Sequence, residues 1–271
     1  AALASGPPDA GRAVAGWERW LLPGAIAGCV LAAEAAVGYV SLDLLLHFGG
    51  PDGSPGAFAA PALYVASFGT RRLAARAGVR DHILAGIGAL LGMVAAMLTV
   101  KLALYGGDLG DPAWLAALGR ELARLTAFPF GPALLCAAGL IWWRGWLLAG
   151  QPATFGTTAA SFQLSATLLL VVYGLAAVLT VPVPHAVPAT VVFFCGGLLA
   201  VALATWQAVA GQQPGRRDRQ WVWLLAGSVV IALAAGALVG CLIDAEMLRR
   251  LWEAIIWLGG LIGAILNYLL H

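Results

Sequence analysis

Apolar runs long enough to cross a bilayer dominate this chain and leave little freedom in what it can fold into. A helix needs about 17 to 25 predominantly apolar residues to span the hydrocarbon core. Runs of this kind cover Leu21 to Phe48, Pro55 to Thr70, Ile83 to Tyr105 and Phe128 to Leu148. Others cover Ala159 to Val181, Val187 to Ala210, Trp221 to Ile243, and Trp252 to the end. The second is short and contains Pro61. In lipid every backbone polar group must be paired within the protein, which leaves helices or closed barrels, and runs this long select helices. The expected fold is all-α: a polytopic integral membrane protein with about eight transmembrane helices. Composition agrees, because 61% of residues are hydrophobic and 10% charged, whereas a soluble domain carries roughly 25% charged residues to cover its surface. A net charge of +2 is too small to point to a nucleic-acid partner.

The loops test the count independently, since cytoplasmic loops are rich in Lys and Arg. Arg12 and Arg19 precede the first run, and Arg71, Arg72, Arg76 and Arg80 follow the second. Arg144 ends the fourth, and Arg216, Arg217 and Arg219 follow the sixth. All fall on one side if eight helices alternate. The opposite loops hold Asp52, Asp108, Asp111, Glu121, Asp244 and Glu246, with Arg120, Arg124, Arg249 and Arg250 as their bases. The pattern predicts a multi-pass protein of the cell membrane with both termini cytoplasmic. Residues 1–20 are expected to form a cytoplasmic tail and 21–271 a single transmembrane domain. The tail lacks the order of a signal peptide. The end inside an apolar run, Leu269-Leu270-His271, leads to the expectation that the gene product continues.

One outer loop carries a helix of its own at 112–125. Asp111-Pro112 reads as an N-cap followed by proline at the first helical position. Trp114, Leu115, Leu118, Leu122 and Leu125 then share an arc of about 100°, with Arg120 and Arg124 opposite. This predicts an amphipathic helix lying in the interface; a lid over a pocket is the alternative.

Ionisable residues inside spans are costly and are candidate sites by default. The first run has Glu34, Asp43 and His47. Asp43 and His47 are four apart and share a helical face. Glu34 precedes Asp43 by nine residues, which turns it about 180° away. It has no charge partner in the sequence, so it is either a proton or cation site or a neutral carboxyl bonded to a neighbouring helix. Lys101, near the outer end of the third run, can snorkel to the interface. Trp142, Trp143, Arg144 and Trp146 read as an anchor at the inner interface: an aromatic belt around a positive-inside arginine.

Other signals are structural. Gly24/Gly28, Gly88/Gly92, Gly236/Gly240 and Gly259/Gly263 are G-x-x-x-G pairs that let helices meet closely. Cys29, Cys136, Cys195 and Cys241 are far apart in or near apolar runs and read as packing residues. No metal-ligand spacing, P-loop, H-E-x-x-H or G-x-S-x-G occurs. His185 lies between Pro182, Pro184 and Pro188 in what reads as a rigid turn. No cofactor or metal is expected.

The second half carries Ile141-Trp142-Trp143-Arg144-Gly145, Thr154-Phe155 and Ser161-Phe162-Gln163-Leu164, then Val191-Val192-Phe193-Phe194-Cys195-Gly196-Gly197-Leu198-Leu199-Ala200. From Phe128 onward this resembles the helical membrane domain of prokaryotic transglutaminase/MoxR-associated membrane proteins, which carry a C-terminal soluble domain of unknown function. The resemblance supplies no catalytic residues and implies a scaffold or accessory role. The expected function is a non-enzymatic membrane scaffold or accessory subunit with other membrane protein subunits as partners. The alternative is a small-solute or proton-coupled transporter using Glu34. An enzyme acting on lipid or isoprenoid substrates is a third reading, with Gly106 to Ala127 as its loop.

Overall fold

The computed structural model describes residues 10–49, 55–106, 112–124, 129–183 and 185–212, with isolated positions 110, 227 and 230. Seven α-helices and no strand occur among the described residues. They are α1 (Ala10–Gly49), α2 (Ala59–Arg76), α3 (Asp81–Val100), α4 (Ala113–Arg124), α5 (Phe130–Gly150), α6 (Phe155–Val178) and α7 (Ala186–Gln212). Five segments are long and apolar enough to cross a membrane: Leu21–His47, Asp81–Tyr105, Phe130–Gly150, Phe155–Val178 and Ala186–Ala208. Helix α2 is not among them. It has 18 residues and carries Arg71, Arg72 and Arg76 in its second half. The expected seventh and eighth spans, like Gly236/Gly240 and Gly259/Gly263, lie outside the described residues apart from Gly227 and Val230. Five such helices suit a multi-pass helical membrane protein.

Helix α1 runs without interruption from Ala10 through Pro23 to Gly49, so the segment before Leu21 continues the helix of the first apolar run. Between Ala13 and Leu22 only Gly16 strongly disfavours a helix and no proline interrupts it, so the apolar span extends backward as helix into the polar segment.

Helix α1 is the axis of the bundle. It touches α2 and α5 on one side, and α6 and α7 on the other. Its residues therefore feed two apolar cores. Leu42 and Leu46 join Leu63, Val100, Leu134 and Trp142. Ala33, Val37, Val40 and Leu44 join Leu169, Val172 and Phe193. The outward faces are also apolar, with Leu90 65% exposed and Leu140 67% exposed. An aqueous surface would not tolerate such faces across every long helix, whereas lipid solvates them.

Glycines set the closest approaches. Gly88 and Gly92 of α3 receive the rings of Trp146 and Trp142 from antiparallel α5. The Trp142 indole N–H donates to Gly88 O at 2.9 Å. The pair is thus a socket for two tryptophans spaced four apart, as the glycines are. Gly196 of α7 lies against Cys29 O and the Ala33 backbone, so α1 and α7 meet nearly backbone to backbone. Gly24 and Gly28 have nothing among the described residues within 4 Å of the place a Cβ would take. The described cysteines, Cys29, Cys136 and Cys195, are all free thiols.

At one end of the bundle α3 closes in a π-helical turn, Lys101–Tyr105, sealed by a hydrogen bond from Gly106 N to Lys101 O at 2.9 Å. Helix α4 follows and packs against α5. Leu115 and Leu122 are exposed, while Trp114, Leu118 and Glu121 are half-buried. The Glu121 carboxylate accepts from Tyr105 Oη at 3.1 Å and from Gly131 N at 3.0 Å. The second bond satisfies a backbone donor at the start of α5 and pins α4 to it. Lys101 is buried, with Nζ 5.9 Å from the Trp114 ring centroid. It turns inward under α4.

Candidate functional site

The site forms where the two cores meet at the middle of α1. Glu34 is 4% exposed, as its position in the centre of an apolar run requires. It faces α5, where Arg144 donates from Nη2 at 2.7 Å and from Nε at 3.2 Å, both to Oε1. Ser161 of α6 donates to the same oxygen at 2.7 Å and accepts from Arg144 Nη2 at 2.7 Å. Carboxylate, guanidinium and hydroxyl close a triangle across α1, α5 and α6. Tyr64 of α2 adds a long contact, its hydroxyl donating to Glu34 Oε2 at 3.4 Å. Four helices thus converge on one carboxylate.

Local sequence explains how each group arrives. Gly145, directly after Arg144, abuts Ser67 Oγ and the Tyr64 carbonyl, so α2 packs flush on α5. Gly38, one turn after Glu34, receives the Tyr64 ring. Ser161 follows the N-terminus of α6, which Thr154 and Thr157 fix through reciprocal side-chain-to-backbone bonds. Helix α5 continues to Gly150, which puts Arg144 more than a turn and a half from its end.

Arg144 is therefore not an outward-facing anchor. A guanidinium that deep reaches a carboxylate on the adjacent helix with less exposure of backbone and charge than it would need to reach water. Trp142 and Trp146 depart from the anchor reading as well: both are 6% exposed and seated on α3. Trp143, rotated about 100° from them, is 56% exposed and the one tryptophan of the three that faces outward. Residues four apart share a face, so these neighbours cannot all line one belt.

A small recess opens beside the triangle, toward the end of the bundle that carries Arg71 and Arg72. Ser161 and Thr158 line it, together with Arg72 and Gln151. Its cavity volume of about 30 Å³ has room for a few water molecules, and organic ligands occupy pockets about tenfold larger. Arg71 lies outside this lining; it donates from Nη1 to Trp146 O at 2.6 Å and lies over the Trp146 ring.

Asp43 and His47 stay near one another on α1, at the end of the bundle opposite this recess. His185, from the turn before α7, joins them. Tyr39 Oη shares a hydrogen bond of 2.9 Å with His185 Nδ1, and Asp43 interacts electrostatically with His185 and His47. Glu34 belongs to a separate cluster, as the half-turn between them requires. Sequence reasoning had no signal for Ser161 or Tyr64, because hydroxyls in apolar helices commonly bond their own backbone. No group of three or more His, Cys, Asp or Glu among the described residues is placed to hold a metal ion. Comparison with known proteins finds no matching family model, no matching curated relative and no matching solved structure.

Proposed function

We propose that the chain is a non-enzymatic multi-pass scaffold of the cell membrane, an accessory subunit that positions partner membrane proteins, with both termini cytoplasmic. The observation that supports this reading is the closure of the central polar site. Glu34 Oε1 is held by Arg144 and Ser161, groups of the bundle itself, and the recess beside them is water-sized. A solute site needs polar groups directed into a ligand-sized cavity; here they are directed at one another. Buried ion pairs of this kind fix which helices are neighbours. The resemblance of the second half to accessory membrane domains points the same way.

The test is affinity isolation of the full chain from native membranes in mild detergent, with mass spectrometry of what accompanies it. Stoichiometric co-purification of other membrane proteins is the expected result. A monodisperse chain without partners overturns the proposal.

A second reading, proton-coupled transport through Glu34, has one observation in its favour: Ser161 both lines the recess and bonds Glu34. It requires that reconstituted protein drive a proton-dependent flux that Glu34→Gln abolishes. Equal background flux in wild type and variant removes it.

A further inference from the structure

Two adjacent arginines, Arg71 and Arg72, lie about one turn before the end of α2, and the bundle uses them differently. Arg71 is engaged by Trp146, donating to its carbonyl and lying over its ring. Arg72 lies over the Phe68 ring at 5.0 Å, and its Nε is buried without a hydrogen-bond partner among the described residues. An unpartnered N–H on a guanidinium is costly, and more so in an apolar setting. The same side chain lines the recess, whose composition is divided. Gln151, Thr157 and Thr158 give it a polar wall, and Ile26, Val30, Phe68 and Leu148 an apolar one. The polar wall includes the first turn of α6, a 24-residue helix whose amino end carries partial positive charge. No carboxylate among the described residues lines the recess.

We infer that this recess binds the phosphate of an anionic membrane lipid, with Arg72 as the principal ligand and Thr158 as a hydroxyl donor. Three features select this class. The cation, the hydroxyl and the helix amino end all favour an anion with several acceptor oxygens. The guanidinium fork matches two phosphate oxygens at once, and rotation of the Arg72 terminal torsions brings its unpaired Nε into that fork. The cavity is too small for a whole amphiphile but opens outward. A phosphate can therefore seat at its open mouth, with an oxygen in the water-sized space, while its glycerol and acyl chains lie along the apolar outer faces, where Leu73 is 66% and Phe155 49% exposed. The site lies where the basic end of α2 meets apolar runs, which is the level of lipid headgroups.

The experiment uses the full chain in neutral detergent micelles doped with phosphatidylglycerol or phosphatidylcholine, bound lipid being counted by native mass spectrometry. Wild type is expected to retain phosphatidylglycerol about five- to tenfold better than phosphatidylcholine, the size of one well-placed basic contact. Arg72→Gln is expected to abolish the preference and Thr158→Val to weaken it, while Arg76→Gln, exposed and outside the recess, leaves it intact. A preference undiminished in Arg72→Gln overturns the assignment. Should Arg72→Gln fail to fold, Arg72→Lys decides. It keeps the charge and loses the fork, so a preference reduced but present supports the site, and one equal to wild type overturns the guanidinium contact. Inorganic phosphate at millimolar concentration separates the two sources of the anion. Displacement of bound phosphatidylglycerol only weakly supports a lipid site. Thermal stabilisation by phosphate that requires Arg72, with no lipid preference in any variant, overturns lipid in favour of a soluble anion.

Discussion

Helix α1 carries two ionisable clusters nine residues apart, and they behave as opposites. Glu34 lies at the centre of the bundle, 4% exposed, and is held by groups from three other helices. Asp43 and His47 lie near the helix end with His185 and Tyr39, partly or fully exposed. The first cluster joins α1 to α2, α5 and α6. The second joins α1 to the α6–α7 turn. Depth, and not residue type, makes the difference. A carboxylate in the apolar middle is tolerated only with a cation and hydrogen bonds around it, so its surroundings are built to hold it. A carboxylate near the end has water as a fallback, and its protein contacts need not be strong.

The sharpest test of that contrast is to break the central pair. Glu34→Gln leaves Arg144 without its counter-charge and is expected to lower stability by about 3–5 kcal/mol. The double variant Glu34→Gln/Arg144→Gln is expected to cost less than the sum of the two singles. Thermal unfolding in detergent across the four-member cycle checks this, and additive losses would make the pair no more coupled than the end cluster. Next in size is Gly145→Val, which drives a side chain into Ser67 and the Tyr64 backbone and separates α2 from α5. An overpacking loss of about 1–3 kcal/mol is expected from the same assay.

A smaller effect is expected for Tyr64→Phe. Its hydroxyl stands 3.4 Å from Glu34 Oε2, too long for a strong bond, so a loss of about 0.5 kcal/mol or less is expected. A larger loss in that variant would make Tyr64 a full member of the site. The smallest effects belong to the end cluster. Asp43→Asn and His47→Gln are each expected to change stability by no more than about 0.5 kcal/mol. If either approached the Glu34→Gln loss, the depth argument would fail.

Much of this was legible in the residues. Each of the first six expected apolar runs corresponds to a described helix, five of them long and apolar enough to span, although α1 begins about three turns before Leu21. The boundaries moved because polar residues such as Arg71, Arg72 and Arg76 still form helix where an apolar window stops. Glu34 stood out as a charge in the wrong solvent, and its separation from Asp43 followed from helical period alone. Arg144 was misread because its expected helix ended at Leu148; with two more residues of helix it lies deeper, and its direction reverses. Trp142 and Trp146 could have been separated from Trp143 by the same period, since their spacing of four matches that of Gly88 and Gly92. The role of Glu121 was not legible, because its partner, a backbone N–H at the start of α5, is supplied only by packing.

The sequence by itself determined the all-helical fold, the long apolar segments and the presence of a charge that had to be neutralised inside them. Those are local properties: run length, period and the solvation of single side chains act before any helix meets another. Only the tertiary structure decided that Arg144 is the neutralising group, that Ser161 and Tyr64 attend it, and that Arg71 is spent on Trp146 while Arg72 is left to the recess. These are pairings between helices remote in the chain. They depend on which faces the glycines allow to approach, and that is settled by packing, which no single segment contains.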